Sequence, residues 1–121
     1  FVESRYKINR KRVKQMVENT IKQNEITSPV EVSIAVVGDR KMKELSKKYK
    51  GDDKTHNVLS FSQTEGEAPK ASDGLLRLGD IVISYPEVIR EASAEEMFVD
   101  DKVDELVEHG LHHLLGIHHE E

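Results

Sequence analysis

Residues 107–119 read VEHGLHHLLGIHH, and this stretch predicts an amphipathic helix that ends at Gly116. Apolar residues recur there at intervals of three and four, which is the period of one helix face. A glycine readily takes the left-handed conformation that closes a helix, so the chain after Gly116 can turn back toward the same face. Glu105 and Glu108 mark the side that we expect to face solvent. The predicted apolar stripe consists of Val103, Val107, Gly110, Leu111 and Leu114.

Three histidines in this stretch have the spacing of a metal site. His109 and His113 are one helical turn apart and about 40° apart around the axis, so both imidazoles can reach one ion. His119 follows the turn and supplies a third nitrogen. Three neutral imidazoles leave a fourth tetrahedral position open for water, which is typical of catalytic zinc. We expect His109 and His113 to be partly buried at the border of the stripe, and His112 to lie on the surface.

Zinc is the expected metal, with one ion per chain. The sequence contains no cysteine, so any ligand must supply nitrogen or oxygen. Three imidazoles also suit Ni²⁺ or another divalent transition metal, which keeps those ions open as alternatives. The competing interpretation is a histidine-rich surface, or core histidines satisfied by hydrogen bonds, that binds no metal. The regular spacing above an amphipathic helix favours the metal site.

The length of 121 residues predicts one domain, residues 1–121, and leaves open an extension of the natural chain beyond both ends. No apolar run approaches the roughly 20 residues that a membrane span needs, and no secretory signal pattern is present. We therefore expect a soluble, cytoplasmic protein. The lack of cysteine suits a reducing compartment.

The net charge of −5 hides an uneven distribution along the chain. Residues 1–54 carry 14 Lys and Arg against 8 Asp and Glu, which gives +6. Residues 55–121 carry 4 against 15, which gives −11. A basic half suggests an acidic partner such as nucleic acid, because Lys and Arg neutralise phosphates. Ordinary solvated helix faces account for the same charges equally well.

The remaining pattern predicts an α+β fold in which a small mixed β-sheet packs with about four to five helices. The metal site would lie on the C-terminal helix, as in zincins. Residues 63–74 are polar, contain two glycines, and predict a mobile loop. The strands are predicted at residues 30–37, 57–62 and 75–84.

Helix starts are predicted from capping residues. Asn9 can cap a basic amphipathic helix that begins near Arg10. Asp39 is the predicted cap of a second helix, in which Tyr49 faces inward. The last helix is predicted to begin at residue 100 or 101, both of which are aspartates.

The histidine spacing is similar to HExxHxxGxxH of the metzincin proteases, with one departure. Gly110 stands where those proteases carry a glutamate. That glutamate is the general base that activates water, and glycine cannot move a proton. The spacing therefore favours a metal site but not peptide hydrolysis by that route.

Residues 109–119, HGLHHLLGIHH, resemble the signature HGxLHLxGYDH of the YbeY family of bacterial endoribonucleases. Two upstream segments strengthen the resemblance. Residues 57–61 read NVLSF, which is similar to the family's TNVLSFP, and residues 78–84 read LGDIVIS, which is similar to its LGDI-type strand. The resemblance thus covers three separated places in the chain.

The resemblance implies a set of functional residues. It assigns His109, His113 and His119 to the metal, in agreement with the spacing. The family's YRG tripeptide contains an arginine regarded as catalytic or phosphate-binding, and Lys50 takes its place here. Lysine keeps the charge but loses the fork that grips two phosphate oxygens. We therefore predict Lys50 as a catalytic and substrate-binding residue, and Arg77 as a second substrate-binding residue.

Other histidines depart from the family pattern or lie elsewhere. His112 replaces the family's Leu, and His118 replaces its Asp, which keeps His118 open as a competing ligand. His56 lies near a strand start and is interpreted as an ordinary surface residue.

The resemblance also implies a function. The family is described as a single-strand-specific, metal-dependent endoribonuclease that acts in maturation of ribosomal RNA, particularly of the small subunit, and in ribosome quality control. The expected partners are RNA, ribosomal RNA or ribosomal particles. Two rival functions stay open. One is a metal-dependent hydrolase of a peptide or small molecule, and the other is a non-catalytic, ribosome-associated RNA-binding module.

Overall fold

The computed structural model describes residues 2–52, 54–62, 71–72 and 75–116. These residues form four helices and five strands. The elements are β1 Val2–Ser4, α1 Arg10–Gln23, β2 Val30–Val37, α2 Asp39–Lys50, β3 Val58–Ser62, β4 Ala71–Ser72, β5 Leu75–Ser84, α3 Tyr85–Ala94 and α4 Val99–Leu114.

The strands form one mixed sheet in the order β1-β2-β5-β3, with β4 also paired to β5. β1, β2 and β5 run parallel, whereas β3 and β4 run antiparallel to β5. β5 is the longest strand and lies between β2 and β3, so its side chains are covered on both faces over most of its length. The predicted α+β class with a small mixed sheet is confirmed.

Helices cover the two faces of the sheet unequally. The larger core lies between one face and helices α1 and α4, where the predicted stripe of α4 is buried throughout. Helix α2 packs on the opposite face through Met42, which meets Leu59 and Val82. The larger core includes Val13, Ile34, Val36, Leu78, Ile81, Ile83, Val103, Val107 and Leu111. Across the described ranges, no helix is both long and apolar enough to traverse a bilayer.

The predicted capping of α1 is confirmed, but two other helix starts differ from the prediction. Asn9 accepts a hydrogen bond from the Arg12 backbone N–H, as an N-cap does. Gly38 rather than Asp39 is the N-cap of α2. The Asp39 carboxylate instead accepts from Arg90 of α3 at 3.2 Å, so a tertiary contact replaces the local cap.

Helix α4 begins at Val99, one to two residues before the predicted aspartates. The helix starts earlier because the Lys102 backbone N–H bonds to the carbonyl of Phe98. The prediction that Tyr49 faces inward is wrong, since its side chain is 54% exposed near the end of α2.

Two short strands were not predicted. β1 has three residues and gains its structure from pairing with β2, which a period-2 pattern cannot reveal over so short a run. β4, Ala71–Ser72, falls inside the predicted loop and pairs with the start of β5. Residues 63–70, 73 and 74 of that loop lie outside the described residues.

Gly79 creates a bulge in β5 that resets which side chains face outward. Glu31 pairs with Arg77 but Val32 pairs with Gly79, so Leu78 is an extra residue on the β5 side. Gly79 has a φ of 135°, and a Cβ there would lie 2.0 Å from the carbonyl oxygen of Phe61. Only glycine fits this conformation and this approach.

A buried lysine ties α3 to α4. The Lys102 side chain is 5% exposed, and its amine lies 3.3 Å from Glu91, 2.7 Å from Glu95 and 3.2 Å from Glu105. Burial alone would lower the pKa of Lys102, but the hydrogen bonds to Glu95, Glu105 and Glu91 outweigh it and raise the pKa above 10.5. The amine is therefore a cation held between carboxylates of two helices.

We predict that Lys102→Met lowers the free energy of unfolding by about 1–2 kcal/mol at pH 7, because it removes charge-assisted hydrogen bonds to partly exposed carboxylates. A group with a raised pKa contributes its full stability below its ordinary pKa and loses it as pH rises through the raised value. The difference between wild type and variant should therefore stay constant from pH 6 to pH 9 in urea unfolding. A difference that shrinks within that interval would contradict the raised pKa.

Candidate metal centre

Helix α4 lies unusually close to the sheet at Gly110. A Cβ at this position would lie 2.9 Å from Cγ2 of Ile81 and 3.1 Å from its Cδ1 and Cγ1. Ile81 is fully buried in the centre of β5, so it has little room to move. Gly110 therefore has a packing reason to be glycine. The same contact excludes the glutamate that metzincins carry at this position.

His109 and His113 flank this contact on the outer side of α4. Both side chains are exposed, and their ring centroids lie 6.3 Å apart with an interplanar angle of 48°. The predicted partial burial of the two residues is wrong. Lys102 occupies a similar angle on the helix and is buried, because the carboxylates of α3 cover it. Exposure here depends on the neighbouring helix rather than on the angle alone.

The two rings fit a shared metal ion. Two imidazoles bound to one tetrahedral zinc ion place their centroids about 5 Å apart, given metal–nitrogen distances of about 2.0 Å. Small side-chain rotations of exposed residues can close the gap of about 1 Å from 6.3 Å. The nitrogen donors are also of the type that zinc accepts.

The third predicted ligand, His119, lies outside the described residues, as does His118. Among the residues that the structure describes, no three His, Asp or Glu side chains form a group able to hold a metal ion. Gly116 has a φ of 79°, which is the left-handed conformation predicted for the end of α4. The described part of the chain thus contains two of the three predicted ligands and the turn that precedes the third.

His112 lines a cavity of about 430 Å³ beside the two predicted ligands, on the opposite side of His109 from His113. It is half-buried rather than fully on the surface. The cavity is lined mainly by charged residues of α1 and α4: Arg12, Asp101, Asp104, Glu105, Glu108, His109 and His112.

Arg12 joins α1 to α4 at the floor of this cavity. Its guanidinium donates to the carboxylate of Asp101 and, from Nε, to Asp104 at 2.7 Å. These hydrogen bonds raise the pKa of Arg12, so the guanidinium stays charged. Burial is the largest cause of the raised pKa of Asp104, and the hydrogen bond from Arg12 opposes it. The Oδ1 of Asp104 is buried and has no hydrogen-bond partner among the described residues. Sequence reasoning missed this clamp, because it requires knowing that α1 packs beside α4.

The two predicted substrate-binding residues lie away from the histidines. Lys50 is exposed at the end of α2, and Arg77 is exposed near the start of β5. Both lie on the sheet face that α2 covers, whereas α4 covers the other face. His56 pairs with Asp52 at 3.1 Å in the segment that follows α2. The structure therefore brings together two of the predicted ligands, and places the predicted phosphate contacts elsewhere.

A model of the family described as Endoribonuclease YbeY matches residues 2–121. This chain belongs to that family. A YbeY endoribonuclease of Rhodospirillum rubrum is 40% identical over 95 residues, which cover 78% of this chain and 48% of the relative. One from Roseiflexus sp. (strain RS-1) is 34% identical over 110 residues, which cover 89% of this chain and 69% of the relative. The chain spans about half the length of the first of these relatives.

The fold itself has a solved counterpart. The solution structure of TM1509 from Thermotoga maritima superimposes with a TM-score of 0.64 at 22% identity. The match covers 99% of this chain and 75% of that protein. It supports the arrangement of helices and strands described above.

We predict that Gly110→Ala destabilises the protein by about 1–2 kcal/mol, although alanine favours helices by about 1 kcal/mol. The reason is the close contact with Ile81, and thermal or urea unfolding measures it. Ile81→Ala removes the contacting atoms. In a double-mutant cycle, Gly110→Ala should therefore lower the free energy of unfolding less in the Ile81→Ala background than in the wild type. Strictly additive effects would contradict the contact.

Proposed function

We propose that this YbeY-family chain is a metal-dependent endoribonuclease that cleaves single-stranded RNA and acts in maturation of ribosomal RNA. The observation that carries the proposal is the pair of exposed histidines one turn apart on α4, in a family named for endoribonuclease activity. The proposed setting is small-subunit RNA processing and ribosome quality control in the cytoplasm. Its partners are ribosomal RNA or ribosomal particles.

The proposed ligands of one zinc ion are His109, His113 and His119, with Ni²⁺ or another divalent transition metal as the alternative. When bound, such an ion supplies a Lewis acid for a phosphoryl oxygen and acidifies a bound water. The chain's own contribution is to fix where the imidazoles stand. Gly110 seats α4 on Ile81, and the Arg12 clamp holds α4 to α1.

Basic residues of the chain are proposed to bind the RNA backbone. The exposed face of α2 carries six cations, and Lys50 at its end is the proposed phosphate-binding residue, on the face away from the histidines. Arg77 is the second proposed phosphate contact. Arg12, by contrast, is already paired with Asp101 and Asp104, so it adds little to RNA binding. The cations on α2 are Arg40, Lys41, Lys43, Lys47, Lys48 and Lys50.

We predict that the wild-type protein contains about one metal ion per chain and cleaves single-stranded RNA, and that His113→Ala loses both. The reason is that two remaining imidazoles hold a divalent ion far more weakly than three. Elemental analysis of the purified protein and gel assays of a single-stranded RNA measure the two losses. His112→Ala is the matched control, since it removes an adjacent imidazole outside the proposed ligand set and should keep both metal and cleavage.

Other outcomes separate the rival functions. A wild-type protein that holds metal but leaves RNA intact would contradict the endoribonuclease. Hydrolysis of casein or small esters would then identify a different metal-dependent hydrolase. Binding of RNA without any metal-dependent cleavage would identify a non-catalytic RNA-binding module.

A further inference from the structure

A groove lies on the sheet face opposite the histidines, where α2 stops short of covering the sheet. It encloses about 300 Å³ and is lined in part by Tyr49 and Leu45 of α2. Its floor is a row of three cross-strand partners, Ser33 on β2, Asp80 on β5 and Phe61 on β3. The volume suits one small planar ligand rather than a helix or a folded segment.

The groove has an aromatic wall. The rings of Tyr49 and Phe61 lie 4.9 Å apart at an interplanar angle of 55°. Tyr49 is 54% exposed, which is unusual for a large side chain whose ring could have been buried against the sheet. An exposed ring at the mouth of a groove is the arrangement on which unpaired bases stack.

Positive charge lies on the α2 side of the groove. The amine of Lys48 lies 5.1 Å from the centroid of the Tyr49 ring, and Lys47 and Lys50 are exposed on the same turn of α2. A nucleotide whose base enters the groove would therefore place its phosphate near several ammonium groups. This charge complementarity selects a nucleic acid strand over an uncharged ligand.

A single carboxylate stands on the groove floor. Asp80 is exposed toward the groove, and within the described residues its carboxylate has no hydrogen-bond or ion-pair partner. The bulge at Gly79 is what turns Asp80 to this face, because the extra residue Leu78 resets the alternation of β5. A glycine-dependent bulge thus places one acceptor group in an otherwise mainly apolar groove.

A carboxylate only accepts hydrogen bonds, and its two oxygens can accept from two parallel donors. Guanine alone among the four RNA bases presents two adjacent donors, N1–H and the N2 amino group, on its Watson–Crick edge. The neighbouring Ser33 hydroxyl can donate to the guanine O6 beside them. Resting on the proposed RNA function, we propose that this groove binds one unpaired guanine of the RNA substrate, stacked on Tyr49 and read by Asp80.

The test compares affinities for short single-stranded RNAs by fluorescence anisotropy, with intact RNA verified on gels. The probes are a nine-nucleotide oligouridine, the same strand with one central guanosine, and the same strand with central inosine. Guanosine should strengthen binding about tenfold over oligouridine, which is the scale of a two-hydrogen-bond contact to a base. Inosine lacks the N2 amino group and should recover only part of that gain.

Substitutions at two groove positions, each with a control variant, locate the effect in the groove. Asp80→Asn should bring the guanosine-to-uridine affinity ratio close to one, whereas Glu44→Gln, which removes the same charge from α2 outside the groove, should keep the ratio near tenfold. Tyr49→Ala should weaken binding of the guanosine strand roughly tenfold, and Tyr49→Phe should restore it.

The outcomes separate this inference from the function on which it rests. RNA binding with no guanosine preference, or a preference that survives Asp80→Asn, would overturn the guanine site alone. If the preference survives Asp80→Asn, we expect the groove to bind a different hydrogen-bond donor, such as an arginine side chain of a protein partner. A wild-type protein that binds none of the three RNAs would remove the proposed function and this inference together.

Discussion

The structure depends on the close approach of α4 to β5 at Gly110 and Ile81. This contact sets the depth at which the last helix lies on the sheet, and with it the height of His109 and His113 in the candidate metal centre. With a larger residue at position 110, the helix would rise or tilt and His109 and His113 would move with it. The glycine therefore has a structural role at a position where metzincins use a catalytic glutamate.

Charge pairs then fix the orientation of α4. Arg12 joins it to α1, and Lys102 joins it to α3. Arg12 comes from the basic first half and pairs with acidic residues of the second half, so part of the uneven charge distribution is neutralised inside the fold. The lysines of α2 are left facing solvent, and together with the exposed cations before and on α1 they form the basic surface that remains. The uneven charge of the sequence thus reflects both ion pairs inside the fold and basic residues on the surface.

Long apolar patterns made much of the fold predictable. The strands at 30–37 and 75–84 and the buried stripe of α4 were predicted correctly, because each has a clear period over many residues. Helix starts were less predictable, since Asp39 turned toward Arg90 instead of capping. β1 and β4 were too short to carry a periodic signal.

The candidate sites were also predictable only in part. The proximity of His109 and His113 followed from helix geometry. Their exposure depended on which part of α4 is covered by α3. The role of Asp80 could not be predicted, because a strict alternation from Leu78 would have turned it toward the core. Only the bulge at Gly79, a consequence of strand pairing, reverses that direction. The motif LGD could be recognised in the sequence, but the bulge that turns Asp80 away from the core could not.

The central claim is that the histidines of α4 and the turn after it hold the metal. X-ray absorption at the zinc edge of the zinc-loaded protein tests it most directly, because scattering from imidazole rings is distinct from that of single oxygen ligands. We expect a shell of three imidazole nitrogens and one oxygen at about 2.0 Å, with the imidazole count reduced in His113→Ala. A shell of oxygen ligands alone, or a spectrum that His113→Ala leaves unchanged, would contradict the account.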